Sequence, residues 1–98
     1  MAEVTIVYWR DIPAQVLSGR GRRAIKRVLP ERFEQAIDRA AMRAGLAGTD
    51  DYLAEWRKAA PEEVPGDATE AVESVASAID RDYDTARLKE LIEKDGRA

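Results

Sequence analysis

Arginine dominates the first third of the chain. Arg10, Arg20, Arg22, Arg23, Lys26, Arg27 and Arg32 stand against Glu3, Asp11 and Glu31, so residues 1–32 carry +4. Guanidinium groups grip carboxylates and phosphates through paired, planar N–H donors. The chemistry first suggested is therefore capture of an anion: an acidic protein face, or a phosphate. A second reading stands beside it with equal weight. Charge on an edge strand discourages pairing with another sheet, and the same cations can match acids of their own chain. The remaining residues, 33–98, hold nine Lys/Arg against sixteen Asp/Glu, which is −7 and brings the whole to −3.

The chain has no Cys and no His. That removes thiol nucleophiles, disulfides, thiolate and imidazole metal sites, and the usual general base near neutral pH. Carboxylates are plentiful, but no helix sets two of them in an apolar surrounding that would raise a pKa for acid–base work. The expectation is a protein that is not an enzyme and uses no cofactor. Gly19-x-Gly21-x-x-Ala24 matches a dinucleotide fingerprint by letter, but lacks the strand–loop–helix setting such a site needs. Asp80-x-Asp82-x-Asp84 resembles the start of a calcium loop, yet has Thr85 and Leu91 where Gly and Glu belong. An isoelectric point of about 5.0 argues against general nucleic-acid affinity. The N-terminus MAEVTIVYWRDIP has no basic lead and no long apolar run, so a cytoplasmic protein without a membrane segment is expected.

Ninety-eight residues, 45% hydrophobic and 36% charged, make one domain, 1–98, with a β-rich basic part (1–29) and an acidic helical part (30–98). Glu3 to Trp9 is dense in β-branched and aromatic residues and reads as a strand, with Val4, Ile6 and Tyr8 on one face and Val7 and Trp9 on the other. Both faces are apolar, as in a central strand. Arg10 to Pro13 is a turn. Residues 14–18 form a second strand, and the glycines at 19 and 21 supply a tight hairpin. Residues 22–29 fit helix or strand, and strand is preferred. That makes an α+β fold: a three-stranded antiparallel sheet packed by three to four helices.

The helical part is written in a clear period. Phe33, Ala36, Ile37, Ala40, Ala41 and Ala44 make one stripe, opened by Pro30 and ended by Gly45. Thr49 caps a short helix with Tyr52, Leu53 and Trp56 inward. Pro61 to Gly66 reads as loop. Asp67 and Glu70 begin a helix whose apolar stripe ends at Ile79. Leu88, Leu91 and Ile92 fall on nearly the opposite side, so the helix breaks near Asp82–Asp84, with Asp84 as a new cap. Gly96 marks the end.

Trp9-Arg10-Asp11-Ile12-Pro13 is the most distinctive local word. Trp and Arg are enriched in binding hot spots. The alternative is a Trp that plugs a small core, with an Arg–Asp pair at its rim. TIVYWRDIPAQV (5–16), LPERFEQAID (29–38) and TDDYLAEWR (49–57) together resemble a small alphaproteobacterial family described as "virulence factor". The resemblance spans roughly residues 4–60. It implies a shared surface over Trp9, Arg10, Asp11, Pro13, Gln15, Pro30 and Arg32, and brings no catalytic residues. It also implies company: the family's genes often neighbour those for methyltetrahydrofolate- and corrinoid-dependent methyl transfer.

The expected function is a non-enzymatic interaction module or accessory subunit that meets the acidic surface of a protein partner. The alternative is binding of a phosphate-bearing ligand or RNA through residues 19–32.

Overall fold

The computed structural model describes residues 2–19 and 21–98. Its sheet is antiparallel, as expected, but has five strands rather than three. β1 (Ala2–Trp9) is central. β2 (Ile12–Ser18) pairs along one side of it and β3 (Ile25–Val28) pairs with β2. The other side of β1 is filled by β4 (Trp56–Lys58) opposite Val7–Trp9 and β5 (Glu62–Val64) opposite Ala2–Val4. Ala59 N–H donates to Ile6 O between them, so β4 and β5 act as one edge interrupted at Pro61. The stretch around Glu62 and Glu63, read as loop, is therefore strand. The two-sided apolar character of β1 matches what covers it: Val4 and Ile6 lie under the helix Ala68–Asp82, and Val7 and Trp9 are buried on the other face.

The β1–β2 turn is tight, with Trp9 opposite Ile12 and Arg10 at φ 53. Val7 pairs with Gln15 but Tyr8 with Pro13, so Ala14 is an extra residue in β2. Such a bulge tolerates a proline inside a sheet, because the ladder is already broken there. The link from β2 to β3 is longer than a hairpin turn. Gly21–Arg23 form a single 3₁₀ turn, which takes Arg22 and Arg23 off the strand where they were expected.

α1 (Glu31–Arg43) buries Phe33, Ala36, Ile37, Ala40 and Ala41 as the stripe predicts. Pro30 sits one residue ahead of it in an extended conformation rather than inside its first turn. α2 (Asp50–Ala54) is capped by Thr49, whose Oγ1 accepts from Tyr52 N–H at 3.3 Å. Only Tyr52 of its expected inner face packs on the core. Leu53 is 64% exposed, and Trp56, assigned to the core, instead opens β4 at 38% exposure. α3 (Ala68–Asp82) crosses β1, β2 and β3 through Val72, Ala76 and Ile79, while α4 (Thr85–Glu93) packs on α1 through Leu88 and Leu91. The break between them falls at Tyr83, and Asp84 Oδ1 accepts from Arg87 N–H at 2.9 Å. Among the described residues no helix is long and apolar enough to cross a membrane.

The register separates two sheet faces. Val4, Ile6, Val16 and Arg27 lie on the face crossed by α3. Val7, Gln15, Leu17, Lys26 and Val28 lie on the other, where Val7 is buried yet lies outside the main core cluster.

Candidate functional site

The word Trp9-Arg10-Asp11 belongs to the architecture. Trp9 is fully buried; its Nε1–H donates to Tyr52 O at 3.0 Å and its ring lies 5.6 Å from that of Tyr52. Pro13 is equally buried. Neither can present a recognition surface. The Arg10 side chain is 11% exposed, stacks over Trp9 and donates from Nη1 to Asp95 O at 2.8 Å. Its Nε sits 3.2 Å from Glu55 Oε2, near enough for charge attraction but too poorly aligned for a hydrogen bond. The guanidinium thus ties the β1–β2 turn to the chain beyond α4. Asp11 accepts from Arg57 Nη2 at 3.2 Å and from Ala98 N–H at 2.7 Å.

Arg32 is likewise committed. It bridges α1 to α3 by donating to the Asp80 carboxylate and carbonyl and to Tyr83 O, and it stacks on Phe33. Asp80 is thereby occupied, Asp84 is a helix cap, and Asp82 meets Arg81. Arg27 pairs with Glu73 of α3 at 3.3 Å. Three of the six described cations of the basic segment, Arg10, Arg27 and Arg32, therefore serve their own fold. Arg20 lies outside the described residues. Arg22, Arg23 and Lys26 are exposed, and among the described residues none has a carboxylate partner.

Those free cations line the start of β3, which among the described residues pairs with β2 alone. Leu29 N–H donates to Ala14 O at 3.2 Å. Antiparallel pairs alternate between bonded and non-bonded, so the main-chain N–H and C=O of Lys26 and Val28 point outward, away from β2. This is an open strand edge. Beside it, on the Val28 side, a groove of about 330 Å³ runs between the sheet and α1. Leu29, Ile37, Tyr52 and Trp56 line it, Glu34 and Asp38 stand at its rim, and Val28 is 70% exposed at its mouth. Burial raises the Tyr52 pKa above 10.0, reinforced by the carboxylates of Asp38 and Glu34 and opposed by Trp56. The phenol stays a neutral hydrogen-bond donor. On the α3 side, a polar trough of about 520 Å³ lies between β3 and the residues Ser77 and Asp80 of α3, bridged by the Arg27–Glu73 pair.

Gln15, half-buried, shares a face and a register position with Val28 and also lines the groove. Of the residues expected at a binding surface, the structure thus gathers Gln15, Arg22, Arg23 and Lys26 around one edge. Val28 and Trp56 were missed. The readable signal for Val28 was its alternation with Lys26 in a strand; Trp56 had none, because its strand partner is remote in sequence.

Residues 7–92 match the family model described as "Virulence factor". No curated protein and no solved structure matches the chain.

Proposed function

The chain belongs to the virulence-factor family, and from that premise we propose that it is a non-enzymatic interaction module that captures an extended segment of a partner protein as an added strand beside β3. One observation carries the reading: the outward main-chain groups of Lys26 and Val28 lie between an apolar groove and unpaired cations. Strand addition draws affinity from main-chain hydrogen bonds and specificity from alternate side chains. The captured segment places an apolar side chain by Val28 and the groove, and a carboxylate two residues away by Lys26, with further acids toward Arg22 and Arg23. A second copy of the chain fits poorly, because Lys26 and Arg27 would meet their own like charges. The methyl-transfer enzymes implied by the family resemblance are the first partners to try.

Selection from a displayed library of random peptides tests this. The expected consensus has an apolar and an acidic residue two apart. Lys26→Pro removes an outward N–H without costing a bond to β2, so it should weaken selected peptides about tenfold or more while the fold persists. Peptides that bind Lys26→Pro as well as wild type would sink the proposal.

A second reading rests on the same three cations, Arg22, Arg23 and Lys26, taken as a phosphate contact. Single-stranded RNA held by three phosphates should lose affinity with salt at a log–log slope of roughly −2. A flat salt dependence removes that reading.

A further inference from the structure

At the sheet edge opposite β3, on the face crossed by α3, a cleft of about 410 Å³ opens between β4, the α3–α4 junction and α4. Two tyrosines line it, Tyr8 from β1 and Tyr83 from the junction. An arginine covers each ring: Arg57 Cζ lies 4.5 Å from the centroid of Tyr8, and Arg87 Cζ 4.0 Å from that of Tyr83. Stacking of this kind holds a guanidinium flat against a ring and leaves its N–H edge free to bond. Lys94 adds a third cation to the lining.

Asp11 and Glu90 are the carboxylates lining the cleft, and both oxygens of Asp11 are already bonded, to Arg57 Nη2 and Ala98 N–H. Glu90, and Glu62 beside Tyr8, then face Arg87 and Lys94. Arg57 is held in place, its Nε donating to Arg10 O at 2.9 Å. Arg87 Nη1 reaches Asp82 O at 3.3 Å. With five N–H donors on each guanidinium, both keep donors to spare. Burial raises the Tyr8 pKa above 10.0, reinforced by Tyr83, Glu62 and Asp11 and opposed by Arg57, so its phenol is an O–H donor at neutral pH. The lining is therefore rich in hydrogen-bond donors, with Leu91 and Ala59 supplying an apolar floor.

We propose that this cleft binds a small molecule through an oxyanion, a phosphate or a carboxylate, gripped by Arg57, Arg87 and Lys94 with the tyrosine hydroxyls as further donors. Oxyanions suit it because paired guanidinium N–H groups match their geometry, and the volume lies within the usual range for ligand pockets. The site is separate from the β3 edge and does not rest on the strand-addition reading.

Titration of the full chain with inorganic phosphate and, separately, with succinate tests this by NMR, reading the Arg57 and Arg87 Nε–H signals and the amides of Tyr8 and Tyr83. Saturable shifts at these groups with either probe support the site, and the tighter of the two assigns the ligand class. Arg87→Ala and Lys94→Ala alter exposed side chains and should each weaken binding about tenfold, whereas Lys26→Pro should leave it unchanged. The proposal is overturned if neither probe saturates, if shifts collect instead at Arg22, Arg23 and Lys26, or if Arg87→Ala and Lys94→Ala both bind as wild type.

Discussion

Replacing Gly96 with alanine probes how the chain beyond α4 is locked to the core. Gly96 has φ 88 and is buried, with its N–H donating to Leu91 O at 2.7 Å and its carbonyl accepting from Asp11 N–H at 2.8 Å. A Cβ there would lie 2.9 Å from Cζ3 and 3.3 Å from Cε3 of Trp9, and 3.4 Å from Cδ of Arg10. Trp9 is fully enclosed, so its ring has no space to yield. A left-handed alanine costs about 1–2 kcal/mol, and overpacking a tight site about 1–3 kcal/mol. The expected loss is thus roughly 2–5 kcal/mol, a large part of the roughly 5–15 kcal/mol that holds a chain of this size. Urea unfolding with a slope near 1.5 kcal/mol/M should show the midpoint falling by about 1 M or more. Gly45→Ala is the control. Gly45 also has positive φ (76) but nothing within 4 Å of its would-be Cβ, so it should lose only the backbone share. Done in a Trp56→Phe background, the emission of Trp9 reports the clash directly. Equal midpoints for the two alanine variants, with Trp9 emission unmoved, would refute the reasoning.

Further outcomes follow from the buried and capped charges. Arg10→Ala leaves the Asp95 carbonyl unmatched and Glu55 with only the more distant Arg97, at 3.9 Å, in a largely enclosed site and should cost about 1–3 kcal/mol. Arg57→Ala removes the pair with Asp11, the Nε–H bond to Arg10 O and the stack on Tyr8, all from an exposed side chain, and should cost about 1 kcal/mol; thermal unfolding of both variants should rank them in that order. Asp67 accepts the Glu70 N–H at 2.8 Å, and this bond lowers its pKa below the ordinary 3.8. A lowered folded-state pKa adds stability that is present above 3.8 and is lost as pH falls through the folded value. Asp67→Asn should remove this share of the acid sensitivity. Urea midpoints for both chains near neutrality and below pH 3.8 measure it, and an unchanged acid slope would count against the cap.

The helices were legible because their signals are local. Three or four residues bring Phe33, Ala36 and Ile37 onto one stripe, and a single side chain marks each start at Thr49, Asp67 and Asp84. Strands β1 and β2, and the preference for a strand at β3, were readable from side-chain type and alternation. β4 and β5 were not. Each is three residues long and charged, and Pro61 interrupts them, so they become strands only because β1 offers an unfilled side.

The same division runs through the charged residues. Composition alone established that the chain lacks thiols and imidazoles and that its cations gather early in the sequence. Which of those cations are free could not be read from it. The Arg32–Asp80 contact spans 48 residues and the Arg10–Asp95 contact 85. An ion pair depends on distance in space, and the folding of α3 and α4 over the sheet sets that distance. The tertiary structure therefore decided that Trp9, Arg10 and Arg32 hold the molecule together. It also set the open strand edge by Lys26 and Val28 and the tyrosine–arginine cleft at the far side, the two surfaces on which the proposals rest.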